Sequence, residues 1–308
     1  MKTRTADHGG RVSVRAHDGV RLAARIHGPA DAPLTVVFVH GHCLRGDSWA
    51  PLRRHLASTW GEEVRLVTYD QRGHGDSGRA PAETYTIDQL GSDLDAVIDA
   101  VAPTGRLVLV GHSMGGMATL AYGRTHAASI GSRVVGVALI ATAAWGLTDM
   151  GLGRLLLARP VAYLQAVARV APAMLHRSRR FGHVVSRAAA RRMSGRSAER
   201  VSAVARALAD STSVVTMVSF LQSFIEFDER ETLAELAHIP ALVLCGTEDP
   251  MTPFEHSLAM AARLPLAELV SVNGGGHSVI LDRADEVASA VSALLSRTNT
   301  DALTGRVG

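Results

Sequence analysis

A serine set between glycines, then a carboxylate, then a histidine are the residue types that acyl transfer requires, and this chain carries them in that order. The serine is Ser113, within Gly111-His112-Ser113-Met114-Gly115. An apolar run at residues 107–110 precedes it, and a helix-favouring segment, 117–122, follows. In a strand–turn–helix setting this pattern is a nucleophile elbow. A sharp turn lifts the hydroxyl clear of a sheet, and glycine at the flanking positions lets neighbouring backbone pass closely. The following helix directs its free N–H groups and positive dipole end at the reacting centre.

For an elbow serine the partners come later in the chain, acid first. The apolar run 241–245 is followed by Gly246-Thr247-Glu248-Asp249, which places a carboxylate in a loop at a strand's carboxyl end. A further strand-like run, 268–272, leads through Asn273 and three glycines to His277. Loops at the carboxyl ends of strands are where active sites collect in open α/β sheets. In this arrangement His277 takes the Ser113 proton and returns it to the leaving group, while Asp249 fixes the imidazole tautomer. Glu248 is the rival acid, Asp249 has a second reading as the cap of a helix starting near Pro253, and His277 is one of 14 histidines. Ser113 by itself also reads as a small residue in a tight turn. The order and context of all three favour the catalytic reading.

Stabilising a developing oxyanion needs two convergent donors. Residues 35–39 read as a buried strand ending in His40-Gly41-His42-Cys43. The backbone N–H of His42 and that of Met114, after the nucleophile, are the expected pair.

These motifs together resemble the α/β-hydrolase fold serine hydrolases, in the branch of small esterases, monoacylglycerol lipases, cofactor-free haloperoxidases and carbon–carbon bond hydrolases. The resemblance rests on HGHCLRGDSW at 40–49, YDQRGHGDSG at 69–78, GHSMGG at 111–116, GTEDPMTP at 246–253 and GGGHS at 274–278, spanning about 240 of 308 residues. It is specific for fold and for Ser-His-Asp chemistry, not for substrate. It implies structural roles for Arg72, His74 and Asp76 in the turn after the fourth strand.

The elements that must position these residues follow from hydrophobic patterning. Strand-like runs at 12–16, 21–26, 35–39, 64–69, 107–110 and 134–140 alternate, after an N-terminal hairpin, with helical stretches such as 87–101. This describes an α/β fold, a mostly parallel sheet with helices on both faces. Between residues 144 and 236 the alternation stops and only helix-favouring sequence remains, with breaks at Pro160 and Pro172. The resemblance makes this a helical cap inserted after the sixth strand. The expected division is a core of residues 1–144 and 231–308, with a cap of 145–230.

Composition fits an enzyme of one domain plus an insertion: 308 residues, 47% hydrophobic and 20% charged. The first eleven residues lack the apolar centre of a signal peptide, and the longest apolar run, 134–147, is too short to span a bilayer. Cys43 and Cys245 are too few for a disulfide scaffold and read as buried free thiols, from which a cytoplasmic location is expected. No residue pattern calls for a metal, and the glycine turns match no phosphate or dinucleotide fingerprint, so no cofactor is expected.

The cap carries the charge. Residues 145–210 hold twelve arginines against Asp149, Glu199 and Asp210, whereas the chain as a whole is only +3. Lys2 is the sole lysine. A solvated arginine-rich face is the plainer reading; the other is contact with an anionic membrane or an acidic substrate. Nucleic acid is not expected, because few aromatic residues are available to stack on bases. The Leu-, Ala- and Val-rich stretch 151–174 reads either as packing on the body or as an interface. Met217, Phe220, Leu221 and Phe224 fall on one helix face, which is core-like and, in a cap, also faces the acyl pocket. Together with Trp145 they favour an apolar substrate.

The expected partner is therefore a small ester or lipid-like molecule, cleaved through an acyl-enzyme. A thioesterase or carbon–carbon bond hydrolase would use the same triad, as would an acyltransferase or cyclase. A non-catalytic ligand-binding protein is the reading from another class, since folds are reused. The sequence leaves oligomeric state open.

Overall fold

Runs such as Leu34-Thr-Val-Val-Phe-Val39 and Ala241-Leu-Val-Leu-Cys-Gly246 have no polar alternation, which suits strands covered on both faces. In the computed structural model, which describes residues 10–158 and 212–304, they form the centre of one sheet. Its strands are β1 (Gly10–Arg15), β2 (Arg21–His27), β3 (Leu34–Val39), β4 (Val64–Asp70), β5 (Arg106–His112), β6 (Val134–Ile140), β7 (Ala241–Gly246) and β8 (Ala267–Val272). Their order is β1-β2-β4-β3-β5-β6-β7-β8. The β1–β2 hairpin and the β2–β4 pair are antiparallel, and every other pairing is parallel. Edge strand β8 shows the mixed exposure that the central strands lack.

Alternate residues feed two cores. Val37, Val39, Leu107 and Leu109 point to the side covered by α2 (Ile87–Val101) and α3 (Met114–Thr125). Val36, Phe38, Val108 and Val110 point to the other side, where α1 (Ala50–Trp60) and the C-terminal helix (Ala284–Thr304) pack. Thr86 caps α2, its hydroxyl accepting from the Gln89 N–H, as a threonine at that position does. α3 starts at Met114, three residues earlier than the sequence pattern suggests, because Gly115 and Gly116 dilute the helical signal while sitting inside the helix.

Parallel register aligns the strand ends. Val39 pairs with Gly111, His112 with Ile140, and Gly246 with Val272, so the turns leaving β3, β5, β6, β7 and β8 gather on one edge. The turn after β4 is fixed from within. Arg72, fully buried, donates through Nε and Nη2 to the two carboxylate oxygens of Asp93, both at 2.6 Å, and through Nη1 to Asp18 and Thr84. His74 Nδ1 donates to the Arg72 carbonyl, and the Asp76 N–H donates to Asp70.

Between β6 and β7 the described residues are helical: a 3-10 segment (Gly151–Leu157), then α4 (Val214–Ser219), α5 (Leu221–Glu226) and α6 (Thr232–Leu236). Within the 3-10 segment Leu152, Leu155 and Leu157 are exposed. Pro160, Pro172 and eleven of the twelve arginines counted in residues 145–210 lie outside the described residues. The twelfth, Arg154, donates to the Asp149 carbonyl. Among the described residues no helix is long and apolar enough to cross a membrane.

Candidate active site

Ser113 follows β5 with φ 53° and ψ −122°, a conformation that non-glycine residues rarely adopt. Close packing enforces it. A Cβ on Gly115 would stand 2.0 Å from the Val39 carbonyl oxygen, and one on Gly111 would stand 2.6 Å from that of Gly115. The Ser113 N–H donates to Ile140, while its carbonyl accepts from the Gly116 and Met117 N–H groups and the Thr142 hydroxyl. Among the described residues, the other non-glycine positive-φ positions are Cys43 (61°) and Ala141 (46°). All three follow adjacent strands β3, β5 and β6 at their carboxyl ends. Each costs on the order of 1–3 kcal/mol, and such residues concentrate at functional sites.

The three expected groups meet at this edge. Ser113 Oγ lies 2.9 Å from His277 Nε2, and His277 Nδ1 lies 2.8 Å from Asp249 Oδ2. The Asp249 side chain is fully buried, whereas that of His277 is 21% exposed. Burial opposes the Asp249 charge. The facing His277 ring and the bonds from Thr252 outweigh it and hold the carboxyl below the usual carboxylate range. Oδ1 accepts from the Met251 and Thr252 N–H groups, at 2.8 and 3.0 Å, and Oδ2 also accepts from the Thr252 hydroxyl at 2.8 Å. Asp249 thus orders its own loop as well as the imidazole, while Pro253 takes the cap position of the next helix (Phe254–Ala261). Glu248 is exposed and its N–H donates to the Gly275 carbonyl, away from this chain of bonds.

The turn after β3 approaches the serine directly. A Cβ on Gly41 would meet Ser113 Cβ at 3.1 Å and His112 Nδ1 at 2.7 Å. In this turn the Cys43 N–H donates to His74 Nε2 and the Leu44 N–H to the Gly41 carbonyl. His42, one of the two expected oxyanion donors, thus stands in a turn that abuts Ser113, and Met114, the other, is the first residue of α3 directly after it. The His42 ring donates through Nε2 to the Met217 carbonyl and packs edge-on to Phe220 (5.6 Å) and Phe224 (5.3 Å). Phe220 is fully buried and also meets Tyr85, so this part of the stripe packs as core beside the turn after β3. Trp145 is placed differently: its ring packs beneath the guanidinium groups of Arg263 and Arg230, at 5.0 and 5.6 Å. Both cysteines are buried free thiols, with burial pushing each up.

Four further histidines surround the site, and the sequence pattern singled out only His42 and His74 among them. Burial is the leading cause that holds His42 and His112 at about 3, His74 at about 4 and His40 well below the ordinary value. Each donates one ring N–H to a backbone carbonyl, as neutral imidazole does. The folded chain therefore binds fewer protons here than the unfolded chain, whose histidines titrate near 6.5. Stability is fully present above about pH 6.5 and declines as pH falls toward the folded values, by up to about 1.4 kcal/mol per pH unit per histidine. Thermal midpoints measured from pH 7 down to 5 are expected to drop steadily; a flat profile would contradict neutral burial. Among the described residues no cluster of three or more His, Cys, Asp or Glu is arranged to hold a metal ion.

Residues 36–290 match the model of the alpha/beta hydrolase family. The chain is 31% identical over 234 residues to a protein named "Putative carbamate hydrolase RutD" from Caulobacter segnis, covering 74% of this chain and 79% of that one. It is 30% identical over 270 residues to a pimeloyl-(acyl-carrier protein) methyl ester esterase of Xanthomonas campestris, covering 86% and 94%. The solved enol-lactonase of Burkholderia xenovorans superposes with a TM-score of 0.72 at 24% identity, over 92% of this chain and all of that one, a likeness of fold. The chain belongs to the alpha/beta hydrolase family.

Proposed function

We propose that the protein is a serine hydrolase cleaving a carboxylic ester with an apolar acyl or alkyl part. The observation that carries this reading is the continuous line Ser113–His277–Asp249, at 2.9 and 2.8 Å, ending on a serine held at positive φ. His277 removes the hydroxyl proton as Oγ attacks the ester carbonyl, and Asp249 stabilises the imidazolium that results. The His42 and Met114 N–H groups receive the oxyanion, and His277 then protonates the departing alcohol. Water activated by the same imidazole releases the acid from Ser113.

Support for an apolar acyl or alkyl part comes from Phe220 and Phe224, whose rings pack on His42 beside the proposed oxyanion turn, on the helical stretch whose Met217 carbonyl accepts from the His42 ring. The same contact supports reading residues 145–230 as a cap over a core of 1–144 and 231–308. The relatives named for a carbamate and for a methyl ester are consistent with a carbonyl bearing a heteroatom leaving group. The buried free thiols suit a reducing, cytoplasmic compartment.

The test is a hydrolysis profile across p-nitrophenyl esters from short to long acyl chains, run beside labelling by a fluorophosphonate. A maximum at medium or long chains with label on Ser113 is expected. A labelled serine with no ester turnover would move the substrate to a thioester, a carbon–carbon bond or acyl transfer. No label and no turnover would overturn the assignment.

A further inference from the structure

His112, the residue before the serine, touches three parts of the site at once. Its Nε2 donates to the His277 backbone carbonyl at 2.8 Å, and its ring lies 5.2 Å from the His277 ring. Its Nδ1 edge abuts Gly41, so closely that a Cβ there would stand 2.7 Å away. It is covalently attached to Ser113 and caps β5, paired with Ile140. The ring itself is buried, with Trp49 edge-on at 6.4 Å behind it. His277, in contrast, reaches the site through the glycine run Gly274-Gly275-Gly276, a stretch with little intrinsic stiffness. Asp249 holds the ring at Nδ1 and the Thr247–Glu248 loop bonds Gly274 and Gly275, while the His277 backbone itself is held by the bond from His112.

We propose that His112 is a positioning residue for the reaction: a neutral imidazole wedged between the oxyanion turn and the loop of the base, fixing His277 through its carbonyl. The inference rests on reading Ser113 and His277 as nucleophile and base. The tautomer follows from the bond. Nε2 carries the proton because it faces a carbonyl, and Nδ1 is left as a bare lone pair against the Gly41 backbone. Burial and the neighbouring His277 ring keep the imidazole from charging, holding it at about 3, so the bond persists through the working pH range. A cation at this place would repel the imidazolium that His277 becomes when it takes the serine proton.

Amide side chains give a clean contrast, because the Nε2 of glutamine reaches as far as the Nε2 of histidine while asparagine ends one bond short. We expect His112→Leu and His112→Asn to slow fluorophosphonate labelling of Ser113 by about 100-fold, the scale of a misplacement near 1 Å. On any ester the wild type turns over, kcat is expected to fall in step with KM little changed. His112→Gln should recover most of both. In the resting enzyme, the downfield proton resonance of the His277–Asp249 bond should broaden or vanish in the first two variants and return in the third. Should His112→Leu fail to fold, the contrast between asparagine and glutamine carries the test alone. Labelling at the wild-type rate in His112→Asn, or equal loss in His112→Gln and His112→Asn, would overturn the positioning role while leaving the triad standing. A wild-type protein that does not label at all would overturn the triad reading itself.

Discussion

Ser113→Ala is expected to lower kcat by on the order of 10⁶, about 8 kcal/mol of barrier, while leaving the fold in place. The loss is that large because in the proposed mechanism every step passes through Oγ: the acyl group has no other acceptor, and His277 has no other nucleophile to deprotonate. The oxyanion N–H groups survive the change, so a residual acceleration over water by way of binding and electrostatics is expected. The fold survives because the turn is held by its backbone. The N–H to Ile140 and the carbonyl shared by Gly116, Met117 and Thr142 do not involve the hydroxyl. Steady-state kinetics on the best ester, with thermal midpoints as the control for folding, check this. Retention of more than a few per cent of activity in material free of host esterases would exclude Ser113 as the nucleophile.

Asp249→Asn should cost about 10⁴ in kcat, for a reason the loop geometry makes unusually definite. Oδ1 accepts two backbone N–H bonds, from Met251 and Thr252, so the amide oxygen is obliged to take that position. The amide nitrogen is then turned toward His277, where it donates to Nδ1. His277 must place its own proton on Nε2, facing Ser113, and can no longer accept the hydroxyl proton. Glu248→Gln, one residue away but exposed, is expected to leave kcat within a small factor of wild type. Inverted behaviour of the two variants, Glu248→Gln inactive and Asp249→Asn nearly normal, would transfer the acid role to Glu248.

Much of the architecture can be read from the chain because two-sided burial writes itself as uninterrupted apolar runs. Residues 35–39, 107–110 and 241–245 announce β3, β5 and β7 in this way. The exposed-faced α1 gives a weaker signal: Ala50–Trp60 buries only Leu52 and Leu56, too few apolar positions to announce a helix. Ser113, Asp249 and His277 were legible as a set because strand, turn and order coincide around each. Thr252, Thr142 and His112 were not, although each holds a catalytic candidate in place. Thr142 and His112 act on backbone carbonyls of loops distant in sequence, contacts that leave no spacing rule behind, and Thr252 acts within its own loop on the carboxylate oxygen that His277 shares. The partners of Trp145, Arg230 and Arg263, were equally illegible, since they come from the far side of the excursion and from beyond β7.

The excursion that interrupts the α/β alternation leaves β6 and rejoins β7, strands that lie side by side in register from Val137 with Ala241 to Ile140 with Leu244. Roughly a hundred residues are looped out between two neighbours, and closing such a loop depends only weakly on its length, about 0.6 kcal/mol for each doubling. The sheet is therefore indifferent to how much chain is stored there. A shorter or longer excursion, exchanged at these same two strands, is expected to leave standing the edge where Ser113, His277 and Asp249 meet. On the proposed reading of residues 145–230 as a cap, specificity is in that sense a detachable property: heritable separately from the chemistry, and open to revision by transplant where the proposed triad is not.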